Sequence, residues 1–490
     1  MNISLILIFC TIALVLWLGL RAQRGKDMNL EQWTVGGRGF GAAIVFLLMA
    51  GEIYTTFVFL GGSGYAYGHG GPAYYMLGYG SLCFVLSYWL LPPIWRYARQ
   101  RKLVSQPDFF SAKYDSPALG ILVAVVGTVA LVPYLVLQLK GLGIIVSVAS
   151  YSAISATQGT CIGALVVTAY VMVSGVHGSA WTSVLKDILV MAVAVFLGLY
   201  LPYHYHGGIG PMFEAIEQAK PGFLALPDKG ESPVWMVSTV LLSTLGFYMW
   251  PHMFMASFSA KGERGLRKNA YVLPIYQLML LFIFFVGFAA VLQVPGLKGP
   301  EIDLALFKIA IGTFDPWVVG VIGAAGVLTA IVPGSMILMA AATLVANNIY
   351  APLRARSSEV KIISVARAMA PVVMGVALWF TLQGGQTIVA LLLMAYSLVT
   401  QLFPVLVASL LPRNPVTKAA AFASILVGEA TVAVLSLNKL SVAKLFPGLP
   451  QVLQDMNVGM VALTLNVATL LIVTALTRSR RPGMGLPQAA

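Results

Sequence analysis

The sequence predicts an all-α polytopic membrane protein of about thirteen transmembrane helices, ten of them arranged as two inverted halves of five. Three observations carry that expectation. Of 490 residues, 59% are hydrophobic and only 10% charged, whereas a soluble domain carries about a quarter charged residues. Apolar runs of about 20 residues, enough to cross a hydrocarbon core, recur along the whole length. Two sets of five such runs also share a pattern: in each set the first run is interrupted partway and the third is unusually long.

Taken in order, the first run is MNISLILIFCTIALVLWLGL. It lacks the basic start and small-residue cleavage site of a secretion signal, so it is read as a span over residues 2–20. With a basic loop it makes up residues 1–39. The first repeat, 40–203, holds spans near 40–68, 73–95, 118–150, 158–175 and 180–203. An external loop follows at 204–233. The second repeat, 234–411, holds spans near 234–258, 269–293, 316–350, 361–382 and 386–411. Two peripheral helices, near 417–437 and 458–477, and a cytoplasmic tail complete 412–490. The interruption in the first repeat is Gly51-Glu52, with Gly61-Gly62 beyond it. In the second it is GFYMWPH, where Gly246 and Pro251 flank Tyr248 and Trp250. Five helices per half place the halves in opposite orientation, and paired Gly/Pro-broken segments point to a transporter with its site at the breaks. Gly and Pro are also simply commoner in membrane helices. Break and length agree together here, which favours the repeat.

A net charge of +13 might suggest nucleic acid, but its distribution argues for a lipid bilayer instead. Of the 30 Lys and Arg residues, 22 fall in one set of alternate loops and 6 in the other, with Lys140 and Lys186 inside spans. The basic loops face the cytoplasm by the positive-inside rule. That puts the amino terminus outside and the carboxyl terminus inside a plasma membrane. Cys10, Cys83 and Cys161 lie in or beside apolar segments without metal or redox spacing, as small buried residues do.

Polar residues inside spans are the candidates for function. An acid at a helix centre costs roughly 2.5 to 3.5 kcal/mol on insertion scales, and Glu52 stands in FLLMAGEIYTTFVFLGGSG. Beside the Gly51 break it faces unwound backbone and a central cavity. Placed there, it could load a proton outside and release it inside. A structural ion pair is the plainer alternative. Lys140, in VPYLVLQLKGLG, could hold a substrate carboxylate, pair with Glu52, or reach the outer headgroups. Gln138 is a neutral ligand or packing glue between helices. Lys186 and Asp187 form a self-satisfied pair or a proton exit. His252 follows the second break and can donate to a carboxylate, although a satisfied buried histidine is as good a reading. Tyr54, Thr55, Tyr248 and Trp250 flank the breaks and are expected to line the pocket. The run Tyr203-His204-Tyr205-His206 has no acidic or Cys partner nearby and reads as a solvated loop. Glu429 reads as local packing, and GHGGP at 68–72 lacks the Lys-Ser/Thr ending of a phosphate loop.

Six further pieces occur in order and at matching depths: TVGGRGFG, FLGGSGYAYGHG, QPDFFSAKY, SGVHGSAWTSVLKD, YMWPHMFMASFSAKGERGLRKNAYVLPIY and AIVPGSMILMAAATLVANNIY. Over roughly residues 30 to 410 the chain resembles the sodium:solute symporter family. The resemblance implies a leucine-transporter-type fold, an inverted five-plus-five helix repeat with one extra helix before and two after. Within the family it is most similar to the monocarboxylate permease branch, on three features: an acid after Gly in the first core helix, a Lys-Asp pair in the fifth, and Pro-His in the sixth. That implies lactate, pyruvate or a short-chain acid such as propionate as substrate.

Two departures bear on the coupling ion. The family's pair of hydroxyl ligands for sodium falls here on Val332 and Pro333, and the family's WTD reads Trp181-Thr182-Ser183, with the acid one turn on as Asp187. Sodium prefers oxygen ligands. A sodium site would have to use backbone near Gly51, Tyr54 and Val332, or the Ser335 hydroxyl. The expectation is therefore proton-coupled symport of a small monocarboxylate, with Glu52 and Asp187 carrying the proton, no cofactor beyond a coupling H+ or Na+, and no resident metal. A sodium-coupled symporter of an amino acid, vitamin carboxylate or sugar is the alternative. An enzyme would need a cluster of nucleophile, acid and base that five scattered histidines do not supply, and a transporter-like sensor would usually carry a signalling domain that RSRRPGMGLPQAA does not provide. Nothing in the sequence sets an oligomeric state.

Overall fold

The computed structural model describes residues 2–25, 27–354 and 358–478; Lys26, Arg356, Arg480 and Arg481 of the basic loops and tail lie outside the described residues. Its described part is helical, with a single isolated bridge between Phe40 and Ala260. Among the described residues, ten helices are long and apolar enough to span a membrane.

Helix α1 (Ile3–Ala22) is capped by Asn2, whose side chain accepts from the Ser4 amide. The first interrupted segment starts with α2 (Ala42–Gly51), resumes as a π-helical turn over Phe57–Gly62 and ends in α3 (Ser63–His69). After it come α4 (Tyr75–Gln100), α5 (Pro117–Ala149) and α6 (Ala156–His206). The second interrupted segment is α7 (Pro233–Phe247) followed by α8 (Pro251–Phe258), bent by 53°. The remaining spans are α9 (Glu263–Gln293), α10 (Pro316–Thr343), α11 (Glu359–Gln383), α12 (Ile388–Leu410), α13 (Lys418–Leu437) and α14 (Gly459–Arg478).

Helix α6 corrects the expectation of two spans with a short loop between. Its 51 residues run unbroken except at Gly175, where φ is 55° and ψ −156°. A straight helix of that length would reach about 76 Å, more than twice a hydrocarbon core of about 30 Å. Instead the chain turns at Gly175, and the Tyr170 hydroxyl meets Thr182 Oγ1 at 2.9 Å across the turn. That φ/ψ combination is open essentially to glycine alone. One residue does the work of a loop. Counting α6 as two spans, the bent α7–α8 pair as one and the interrupted 42–69 segment as one gives the thirteen that the apolar runs imply.

Small residues set the packing. A Cβ on Gly320 would come within 2.7 Å of Ser4 Cα, and one on Gly323 within 2.8 Å of Ile8 Cδ1, so α10 lets α1 approach closely. Helix α10 is buried on every face from Ile322 to Thr343. Residues 204–233 are more ordered than a loop: Ile209–Ala219 form an amphipathic helix that buries Met212 and Ile216. His204 and His206 lie at the end of α6, and Tyr205 bonds Thr313.

Candidate functional site

The two interruptions meet at one place. After Gly51 the backbone no longer follows the helical pattern: the Thr55 amide bonds to Ile53 O at 2.9 Å, not to Gly51 O. The Thr55 hydroxyl accepts from the Phe57 amide at 3.1 Å and so starts the next turn. The Gly51 carbonyl is thereby released from the helix. In the second segment Trp250 is extended (φ −66°, ψ 127°) ahead of Pro251, as a residue before proline prefers. Pro251 lacks an amide hydrogen and opens α8 at its first position.

Across this junction His252 Nε2 lies 3.2 Å from Glu52 Oε2, with both side chains almost fully buried. Tyr134 of α5 donates to the Glu52 carbonyl at 3.4 Å, and its ring packs on Trp250 and His252 at centroid distances of 4.9 and 5.5 Å. These groups border a narrow cavity of about 10 Å³, room for roughly one water molecule. Its wall also includes Ile53, Phe57, Tyr79, Phe84, Gln277 and Tyr396. His252 Nδ1 and Gln277 Oε1 have no hydrogen-bond partner among the described residues. A buried imidazole against a carboxylate, walled by phenols and apolar rings, can exchange a proton, and the cavity in this closed arrangement has room for about one water molecule.

On the far side of Gly51 a second polar group assembles. Lys186 Nζ donates to the freed Gly51 carbonyl at 2.7 Å and to Tyr54 O at 3.3 Å, and lies 3.0 Å from Asp187 Oδ1. The pair is therefore not closed on itself but seated on the break. Ser335, named above for sodium, donates to Val332 O at 2.6 Å and meets Ser179 Oγ at 2.8 Å. The second break has a similar donor: Gln106 Nε2 reaches Met249 O at 2.7 Å. Gln106 begins the QPDFFSAKY helix, where Asp108 accepts from Asn348 Nδ2 at 2.6 Å. Burial pushes the Asp108 carboxyl above its usual range, opposed by bonds from Ser105, Val104 and Asn348.

Of the residues expected to line the pocket, the structure brings Trp250 and His252 to the cavity together with Glu52. The others lie elsewhere. Tyr54 bonds Tyr276 O at 3.1 Å. Thr55 accepts from the Phe57 amide and bonds Tyr134 of the wall, and Tyr248 packs against Phe247 at 5.1 Å. Gln138 accepts from Thr56 at 2.6 Å. Lys140 donates to Asp303 Oδ2 and to Gln386 O, both at 2.6 Å. It pairs there with an acid, away from Glu52, and does not reach headgroups alone. Sequence reasoning missed Tyr134, Tyr79, Tyr396 and Gln277. Tyr134 had a signal, since it stands one turn before Gln138 on α5.

The profile of the sodium:solute symporter family matches residues 33–428. The chain belongs to that family. The symporter is 59% identical over 481 residues, 98% of each chain, to a Bacillus subtilis protein described as "uncharacterized symporter YhjB". A Rhizobium johnstonii monocarboxylate transport permease is 28% identical over 348 residues, 69% of each chain. Among solved structures, a Na+-coupled sialic acid symporter superposes with a TM-score of 0.77 over 97% of this chain and 98% of its own, at 16% identity. The symporter thus has the leucine-transporter-type fold, is a multi-span membrane protein, and moves a solute with a coupling cation.

Proposed function

We propose that this symporter carries a small monocarboxylate, such as lactate, pyruvate or propionate, into the cell with one proton by alternating access. The observation that carries the reading is the 3.2 Å approach of His252 to Glu52 inside the cavity where the two interrupted helices meet. An imidazole at that place can serve one carboxylate at a time. A proton on Glu52 removes the charge that engages His252 and frees the ring for the substrate carboxylate, so anion and proton enter as a neutral pair. His252 is the second residue of α8, whose amino-terminal dipole favours an anion. When the cavity opens, Trp250 and Phe84 on its wall suit a short apolar tail. The relationship to a monocarboxylate permease supports the same substrate class. Val332 and Pro333 offer no side-chain oxygen, which favours the proton over sodium. Asp187, beside the break, is a candidate for the exit of that proton.

Proteoliposomes loaded at neutral pH and given labelled lactate, pyruvate or propionate test this directly. An inward proton gradient alone should drive accumulation, and uptake should fall as external pH rises. Uptake that requires a sodium gradient, or none of the three acids being carried, would contradict the reading.

A further inference from the structure

Lys186 is a lysine with no exposed surface, placed one turn of helix beyond Thr182 in the second half of α6. Three oxygens face its ammonium: Gly51 O at 2.7 Å, Tyr54 O at 3.3 Å and Asp187 Oδ1 at 3.0 Å. Ser183 Oγ stands close by, since a Cβ on Gly51 would lie 3.3 Å from both Ser183 Oγ and Lys186 Nζ. Two carbonyls released from a helix, a carboxylate and a hydroxyl make an oxygen set that suits a hard monovalent cation. The protein fills the centre of that set with a charge of its own.

We infer that the Lys186 ammonium is a tethered cation that takes the place of a metal ion at the Gly51 break, and that it specifies against sodium there. Fixed to α6 and bonded to the end of α2, it neutralises Asp187 and satisfies the freed carbonyls in the arrangement seen here. A sodium ion could not enter without expelling a covalently held charge. Removing the side chain leaves Gly51 O, Tyr54 O, Asp187 and Ser183 around a gap with a net negative charge. That gap is a site for a small monovalent cation.

The assignment deepens the transport reading above and rests on it, but its test uses no substrate and no proton gradient. The melting temperature of the purified full chain is followed while sodium chloride replaces choline chloride at constant ionic strength, for the wild type, Lys186→Ala and Lys186→Gln. The wild type should not respond to the exchange. Lys186→Ala should melt lower in choline and regain stability with sodium in a saturable way, and potassium, being larger, should restore less. Lys186→Gln keeps a donor for Gly51 O but not the charge, and should show the same sodium dependence more weakly. A saturable rise for the wild type would overturn the assignment whether or not either variant can be purified. So would variants that respond to sodium and choline alike. Either failure leaves the choice of substrate and the role of Glu52 standing.

Discussion

Glu52 and His252 are 200 positions apart in the chain, yet each directly follows a residue that ends or restarts a helix, Gly51 and Pro251. Because a broken helix and an isolated polar side chain are visible in sequence, these two residues and Trp250 were legible. Their neighbours were not. Tyr54, Thr55 and Tyr248 flank the same breaks, but the irregular turn sends Tyr54 towards Tyr276 and sets the Thr55 hydroxyl between the Phe57 amide and Tyr134. Which way a side chain leaves a non-helical turn depends on dihedrals that residue type does not encode. Lys140 was ambiguous for another reason: its partner Asp303 sits in a short turn, Gly299–Leu304, between α9 and α10. At this scale the account predicts that His252→Gln weakens substrate binding about tenfold, equivalent to about 1.4 kcal/mol, while the protein stays monodisperse in detergent. Equilibrium binding of labelled lactate or pyruvate checks it. Unchanged affinity would remove His252 from the site.

Elements were read from apolar length and from Gly and Pro placement, and the long helices α5 and α10 fall on the long runs, continuing through Pro133 and Pro333. The turn inside α6 shows the limit of that method. Residues 176–179 look like a loop because a reversal between two spans ordinarily needs one, but a single glycine at φ 55° achieves it. A Cβ on Gly175 would also stand 2.6 Å from Trp33 Cδ1 and 3.0 Å from Trp33 O. Gly175→Ala is therefore expected to destabilise the protein by about 1–3 kcal/mol through backbone strain alone, with the Trp33 contact adding to it. Thermal unfolding in detergent measures this, and a melting temperature equal to the wild type would show that the turn is not strained as described. The cross-links that fix one element to another were not legible at all. Gln106 on Met249 O and Lys186 on Gly51 O join residues 143 and 135 positions apart. No local pattern announces such pairs.

For the whole molecule, the distribution of basic residues assigns Ser105 to the cytoplasm and Gly208 to the outside. Single cysteines at these positions should be labelled by an impermeant reagent from opposite faces of sealed vesicles. Labelling from one face would overturn the thirteen-span topology. Within that frame the central claim is that Glu52 carries the coupling proton at the junction of the two interrupted helices. Glu52→Gln keeps the shape and part of the hydrogen bonding but holds no exchangeable charge. Its most direct test compares two assays on the same proteoliposomes, without sodium: accumulation of labelled monocarboxylate under an inward pH gradient, and counterflow exchange at equal pH. The account predicts that Glu52→Gln abolishes accumulation and retains exchange. A Glu52→Gln protein that still concentrates substrate under a pH gradient would contradict it.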